Sequence, residues 1–465
     1  MITPKGARRP VTLVTPPIPR AAGSFPLIGH ALRLMRDNLG FIASLRENYG
    51  PLVEIVLQPG TRTVVVQDPD LIRTMLVDLA PTLDKGRFFD KMGHILGDSV
   101  VTAAGQEHVG RRRKLQPAFA RARIAGYVDV MRDEVTAATG TWRHGQRLDV
   151  HEAMVGLSLD MLTKTVFSAG LDEETFRRLR RDLSVVMTGV GARVMLPDWA
   201  ERLPLPFNRR FDQSRDAVRA TVRRTVDDLQ ASGHDGGDML SMLLHATDPD
   251  SGEPLTPDQI CSEILTLAVA GTETTASVLS WVLYELARHP GIEARVLAEL
   301  REVLGERPIA FADLPRLPYL RRVVDEATRL HHTGWLVTRR TTTEIRLGEW
   351  TVPAGTELAY CQHALHRDPA LFPDPLAFDP DRWLDSAQPP PTGAFLPFGA
   401  GKHKCIGDHF ALTELITAVA TMVRAVRFDL APGRTVRPVA RATVRPGSLL
   451  MTVRRREGAA RSSAA

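Results

Sequence analysis

Within the 465-residue chain, Phe398-Gly399-Ala400-Gly401-Lys402-His403-Lys404-Cys405-Ile406-Gly407 carries residue types suited to holding a metal through sulfur. The segment stands between a long irregular stretch and a helical run that begins near Gly407. A cysteine at a helix start feels the positive end of the helix dipole and nearby free N–H groups, which lower its pKa and favour thiolate. Gly401 and Gly407 remove side chains where a flat cofactor could approach the backbone, and Phe398 could shield the sulfur from water. On these residues alone, a buried structural thiol beside glycines is the commoner outcome.

A second constellation lies upstream. Thr256-Pro257-Asp258-Gln259 is a capping box with proline at the first helical position, and the helix it opens can run to about Arg288, before Pro290. In its middle sits Ala270-Gly271-Thr272-Glu273-Thr274-Thr275, where glycine and three hydroxyl residues weaken an otherwise apolar helix. One reading is structural, with threonines bonding back to preceding carbonyls and Glu273 facing solvent. The other is a break in the helix wall where an acid and an alcohol handle protons.

Two charged spacings complete the set. Glu326-Ala327-Thr328-Arg329 places an acid and a base three apart on a helix, and His108 and Arg112 lie four apart on one helical face. Both default to exposed pairs, the first an ion pair worth tenths of a kcal/mol.

Taken together, these motifs resemble the cytochrome P-450 family. FGAGKHKCIG fits the family's haem-binding loop, F-x-x-G-x-[R/H]-x-C-x-G, position by position. The resemblance implies haem b, with the Cys405 thiolate as axial ligand of iron, pushing electron density toward the metal. AGTETT is similar to the central helix motif: Gly271 would let dioxygen sit against the helix, Thr274 would hydrogen-bond its far oxygen, and Glu273 would relay protons. Having both acid and alcohol argues against relatives that take peroxide directly. Glu326 and Arg329 match the E-x-x-R pair, which in the family is buried with a residue of a later F-x-P-x-R-W segment, here Phe378-Asp379-Pro380-Asp381-Arg382-Trp383. His108 and Arg112, with Arg339 and His403, match the cations that hold the haem propionates. Phe398, Gly399 and Gly271 are the remaining expected cofactor contacts. One departure stands out: relatives usually carry proline where His332 stands.

At the subfamily level the chain resembles actinobacterial terpenoid hydroxylases of the pentalenene oxygenase type, through Ala22 to His30 and the cysteine loop. The resemblance implies hydroxylation of an apolar small molecule, a terpenoid, using O2 and electrons from a ferredoxin and its reductase. The segments expected to touch substrate are Phe88 to Leu96, Val186 to Met195, Leu267 to Ala270 and Thr333 to Thr338. They hold Phe88, Phe89, Met92, Ile95, Met187, Met195, Trp335 and Leu336, with few charges, so an apolar ligand is expected. Core packing accounts for the same residues almost as well. A steroid or polyketide oxidase and a non-catalytic binder of haem or an apolar ligand remain alternatives.

The elements that must position these groups read as mostly helical with minor β structure, the cytochrome P-450 fold. A helix is expected from Ala31 to Asn48, then a hairpin, Val53 to Leu57 and Thr63 to Val66, around Pro59-Gly60. Helical spacing dominates from Pro69 to about Ala298. Short strands return near Glu344 to Leu347, Trp350 to Val352 and Arg441 to Val453. Between them, Asp368 to Pro397 is irregular and dense in proline. Residues 1–25 are expected to form a loose lead-in, 26–455 one domain and 456–465 a disordered tail.

Composition narrows the partners. With 59 basic and 54 acidic residues the net charge is only +5, unlike a nucleic-acid binder. Cys261, Cys361 and Cys405 lie too far apart for a disulfide framework or zinc knuckle, which fits a reducing cytoplasm. The start lacks the apolar core of a signal peptide, and no stretch reaches the roughly 18 apolar residues of a membrane span. A cytoplasmic monomer is expected. Lys402, Lys404 and Arg111 to Lys114 could form a basic docking face for an electron donor.

Overall fold

Reciprocal hydrogen bonds fix where the longest helix begins. The Gln259 N–H donates to Thr256 Oγ1 at 3.3 Å and the Thr256 N–H to Gln259 Oε1 at 3.0 Å, so Pro257–Arg288 starts at the expected cap and stops before Pro290. This computed structural model describes residues 16–456, except 27, 58–61, 168–170, 196–202, 233–237, 249, 385–389, 432, 434, 441 and 442. The turn at 58–61, the loop at 233–237, most of the lead-in and all but one residue of the tail therefore lie outside the described residues.

The long helix is buried along most of its length. Trp281, Leu279 and Val282 are fully enclosed, and each such side chain contributes roughly 1.5–3 kcal/mol relative to exposure. Its most extensive neighbour is the helix Val150–Val166, whose start is capped by Asp149 accepting from the His151 N–H at 3.1 Å. The helices Asp408–Ala425 and Pro318–Leu330 pack on other sides, and Glu173–Met195 and Pro206–Ser232 lie together above. One apolar cluster joins these helices to β9 (Val426–Leu430) and β12 (Leu450–Arg455).

The β structure sits at the edges. Five strands, β1 (Leu52–Ile55), β2 (Thr63–Val66), β3 (Leu83–Asp84), β5 (Val337–Thr341) and β8 (Glu357–Tyr360), form a sheet ordered β1-β2-β8-β5-β3. β1, β2 and β8 are buried at every position, which is why β1 and β2 read as near-continuous apolar runs rather than as alternation. β2 and β8 pair in parallel, Val64 opposite Leu358. β4 (Arg147–Asp149) joins β12 and β9 in a second sheet, and β6 (Ile345–Leu347) with β7 (Trp350–Val352) and β10 (Pro438–Ala440) with β11 (Val444–Pro446) form two hairpins.

The expected hairpin, the helix Ala31–Tyr49 and the strands near 345 and 350 are present. β5, β8 and β9 were not anticipated. Their sequences, VTRRT, ELAY and VRFDL, mix β-branched or aromatic residues with charged ones, and sheet pairing decides what that mixed local preference leaves open. The last part of the expected loose lead-in is in fact pinned. The Glu54 N–H donates to the Pro19 carbonyl at 2.7 Å and the Ala21 N–H to the Glu54 carbonyl at 2.9 Å, and Ala21 is buried. Among the described residues no helix is long and apolar enough to cross a membrane.

Candidate active site

Cys405 is held from both sides of its loop. Its N–H donates to the Phe398 carbonyl at 2.9 Å, and the Lys404 N–H donates to the Gly401 carbonyl at 3.0 Å. Gly399 and Gly401 sit at φ 70° and 68°, where a side chain would be strained, and a Cβ on Gly401 would strike the Leu76 carbonyl. Cys405 is exposed because it opens onto a cavity, while protein surrounds it on its other sides. The expected lowering of its pKa by the helix start does not appear: burial pushes the thiol up, with the Gly407 N–H working the other way. A bound metal would act against that shift, because coordination deprotonates a thiol.

The cavity beside Cys405 has a volume of about 460 Å³. Its lining includes His108, Arg112, Gly271, Thr274, Arg339, Phe398, Gly399 and His403 along with Cys405, so residues scattered over three hundred positions converge. Gly271 is not forced by packing, since a Cβ there would meet only Leu162 at an ordinary 3.6 Å. What the glycine leaves bare is helix surface facing the cavity. Thr274 Oγ1 donates to the Ala270 carbonyl at 2.7 Å while lining the cavity, so the structural and the chemical readings of this threonine coexist.

Glu273 does not line the cavity. It is half-buried, and its Oε1 accepts the Thr443 hydroxyl at 2.9 Å, next to β11.

The cation set is larger than the sequence suggested. His108 and His403 pack ring against ring at 4.4 Å, and Nδ1 of each is buried without a partner. Arg112 donates to the Lys404 carbonyl at 2.6 Å, which ties the helix Gly105–Leu115 to the cysteine loop. Arg339, on β5, is buried. Lys85, missed in the sequence, lies just after β3; its Nζ donates to the Val100 and Val101 carbonyls at 2.6 and 2.8 Å. Burial first, then the charge of neighbours such as Arg339 and Lys85, pushes Lys85 down to about 7 and His108 to about 3. So many cationic groups converge on a cavity whose lining includes one acid, Glu414. A buried array of that kind is costly unless an anion joins it. An apolar, flat group bearing two carboxylates fits the orphaned imidazole nitrogens, the cations and the open glycine faces, and its metal would meet the sulfur.

Glu414 was also missed. It lies on the helix Asp408–Ala425, fully enclosed, with Oε2 3.5 Å from Thr275 Oγ1 and Oε1 unpartnered. Burial pushes its carboxyl up to about 8, the Thr275 hydroxyl opposing. No short-range pattern reports such a residue, which reads as a polar gap in an amphipathic helix.

Behind the cysteine loop, Glu326 and Arg329 are both fully buried and make two hydrogen bonds, at 2.8 and 2.9 Å. Arg329 also donates to the His366, Pro375 and Ala377 carbonyls, and Glu326 accepts from Trp383 Nε1 at 3.0 Å and Arg382 Nε at 3.4 Å. The irregular stretch is thus anchored by the pair, with Arg382 and Trp383 joining it from the expected segment.

Of the residues expected to touch substrate, Phe89, Leu267, Ala270, Thr333 and Val337 or their segments line the cavity. Met92 and Ile95 point into the core, Met187 packs against it, and Trp335 and Leu336 pack on the cluster around Val53 and Val65. The Met195 side chain lies outside the described residues. Val100, Val101, Leu162, Met239 and Val278 supply the remaining apolar wall.

The basic docking face needs correction. Arg111 is buried, bonded to Glu107 at 2.8 Å and near Glu263 at 3.7 Å. Arg113 pairs with Asp250 and Lys404 with Asp408. The run reads as basic in sequence because Glu263 and Asp250, which take Arg111 and Arg113, lie far off in the chain.

Residues 17–455 match the sequence profile of the family described as Cytochrome P450. Among curated proteins, the chain is 43% identical to cyclooctat-9-en-7-ol 5-monooxygenase of Streptomyces melanosporofaciens, covering 90% of each chain. It is 39% identical to cyclooctatin synthase of the same organism, covering 93% of this chain and 94% of that one. Pentalenene oxygenase of Streptomyces avermitilis is 35% identical over 91% of this chain and 94% of its own. Among solved structures, the haem domain of cytochrome P450DA superposes with a TM-score of 0.84 at 26% identity, covering 95% of this chain and 98% of that one.

Proposed function

The chain belongs to the cytochrome P450 family and is a monooxygenase of it, and from that premise we propose that it hydroxylates a terpenoid skeleton, with haem b bound between Cys405 and the long helix. The observation that carries this reading is the convergence of Cys405, the cation set and Thr274 on one predominantly apolar cavity. The cyclooctatin and pentalenene relatives support the substrate class.

In this reading Cys405 would hold the metal through its sulfur, His108, Arg112, Arg339, His403 and Lys85 would hold the carboxylates of the haem, and Phe398, Gly399 and Gly271 would leave room for it. The haem, when bound, supplies the activation of dioxygen that lets one oxygen atom enter a C–H bond. The chain's own work is to seat the substrate and manage protons. Val100, Val101, Leu162 and Val278 exclude water and hold the apolar substrate over the Gly271 gap. Thr274 presents its hydroxyl to that gap. Half-buried Glu273 sits where it can take protons from outside, by way of Thr443, and pass them along the helix. Electrons come from a separate ferredoxin and reductase; Lys402 remains as one cation on the cysteine side for docking.

The test is a reduced, carbon-monoxide-bound spectrum of the purified protein, followed by turnover with a panel of sesquiterpenes, diterpenes, steroids and macrolactones. A sulfur-ligated band with hydroxylated terpenes supports the reading. Steroid or macrolactone products alone would move the substrate class. A Cys405→Ser protein that kept oxygenation intact would end the proposal.

A further inference from the structure

His332, where relatives usually have proline, is buried, lines the cavity, and uses both ring nitrogens on backbone. The Gly334 N–H donates to Nδ1 at 2.9 Å, so Nδ1 is the acceptor and the ring proton sits on Nε2. Nε2 lies 3.2 Å from the Pro397 carbonyl and donates to it. The other tautomer would set two lone pairs against each other at Pro397 and leave the Gly334 N–H unpaired. The 3.1 Å approach of Nδ1 to the Gly334 carbonyl is then a contact and not a hydrogen bond.

Pro397 is one link in a short chain. The preceding Leu396 is gripped on both sides: its N–H donates to His366 Nε2 at 3.0 Å, and its carbonyl accepts from Gln362 Nε2. The next residue, Phe398, offers the carbonyl that receives the Cys405 N–H at 2.9 Å. Pro397 has no N–H of its own, so its carbonyl is the one backbone polar group by which that residue can be held. His332 takes it. Groups that orient a metal ligand from behind tune the metal almost as strongly as the ligand itself.

We propose that His332 is a positioning residue for Cys405: its Nε2–H holds the Pro397 carbonyl, and so fixes the Phe398 turn that aims the sulfur. The proposal rests on Cys405 being the metal ligand. A second consequence is that His332 offers only carbon edges to the cavity and adds no polar contact for substrate.

Two substitutions separate the ring's two roles. In His332→Gln the terminal amide reaches the place of Nε2 and keeps a donor for Pro397; in His332→Asn the shorter amide keeps only the acceptor for Gly334. The readouts on holoprotein are the position of the reduced carbon-monoxide band and the haem reduction potential. The expected result is that Gln matches the wild type, whereas Asn and Ala shift both and lose part of the sulfur-ligated form. Asn matching the wild type, all three matching it, or all three departing alike would overturn the proposal. If Asn and Ala retain no haem, nitrogen NMR of His332 in the carbon-monoxide form of the wild type decides: an Nε2–H tautomer supports the proposal and an Nδ1–H tautomer overturns it. A wild type without a sulfur-ligated band brings down the functional reading itself, and does so before any substitution is made.

Discussion

The hydroxyl of Thr274 donates to the carbonyl of Ala270 at 2.7 Å, one turn back in the helix that walls the cavity. The bond parks the side chain against its own backbone without removing it from the cavity surface, since an alcohol can accept while it donates.

Thr274→Ala should therefore leave the fold intact, with stability unchanged or raised by a few tenths of a kcal/mol from better helix propensity. Product formation should fall by roughly 10²-fold, the lower end of what positioned proton transfer contributes, while NAD(P)H consumption continues. The ratio of product to NAD(P)H consumed is the measurement. An unchanged ratio would favour a binder over an oxygenase.

Glu326→Gln removes one charge from a pair that is fully buried and leaves Arg329 uncompensated. The expected cost is about 3–5 kcal/mol, read as a lower denaturant midpoint of the holoprotein. Arg329→Lys should not rescue, because an ammonium cannot reach Glu326 and the His366, Pro375 and Ala377 carbonyls together. A lysine variant as stable as wild type would contradict this.

Glu414 makes stability depend on pH with a sign opposite to that of a salt-bridged acid. Its folded pKa is raised to about 8 by burial, against 4.5 for the free side chain. The folded protein keeps a proton that the unfolded chain has released, so stability falls as pH rises from about 4.5 to 8 and levels off above. The loss is on the order of 5 kcal/mol over that window. Glu414→Gln should lose this slope, and parallel curves for the two proteins would refute it.

Arg111→Ala strands Glu263, which is fully buried and already pushed up to about 7 by burial. A loss of about 3 kcal/mol is expected, with the ionic-strength dependence of ferredoxin-supported turnover unchanged. Normal stability together with a flattened salt dependence would return Arg111 to the docking surface.

What could be read from the chain beforehand follows a physical divide. The Thr256 cap is a local pattern and forms as its residues imply, whereas the burial of Glu326 and Arg329 was implied only by the family resemblance, since their spacing alone reads as an exposed pair. Lys85 and Glu414 are long-range facts: a lysine after a two-residue strand and a glutamate in an amphipathic helix gain meaning only when distant segments close around them. Arg111 failed for the same reason in reverse, since nothing local shows that Glu263, more than a hundred residues on, will bury it. Trp335 and Leu336 had the right composition for a substrate wall, but β5 turns them toward the edge sheet.

The parallel pairing of Val64 with Leu358 has a bearing on how the protein is made. A ribosome must deliver more than three-quarters of the chain before that strand pair can close, and Cys405 emerges later still. Loop-closure entropy makes such late, distant pairings slow to form. The cavity that Cys405 lines can therefore close only when synthesis is nearly complete.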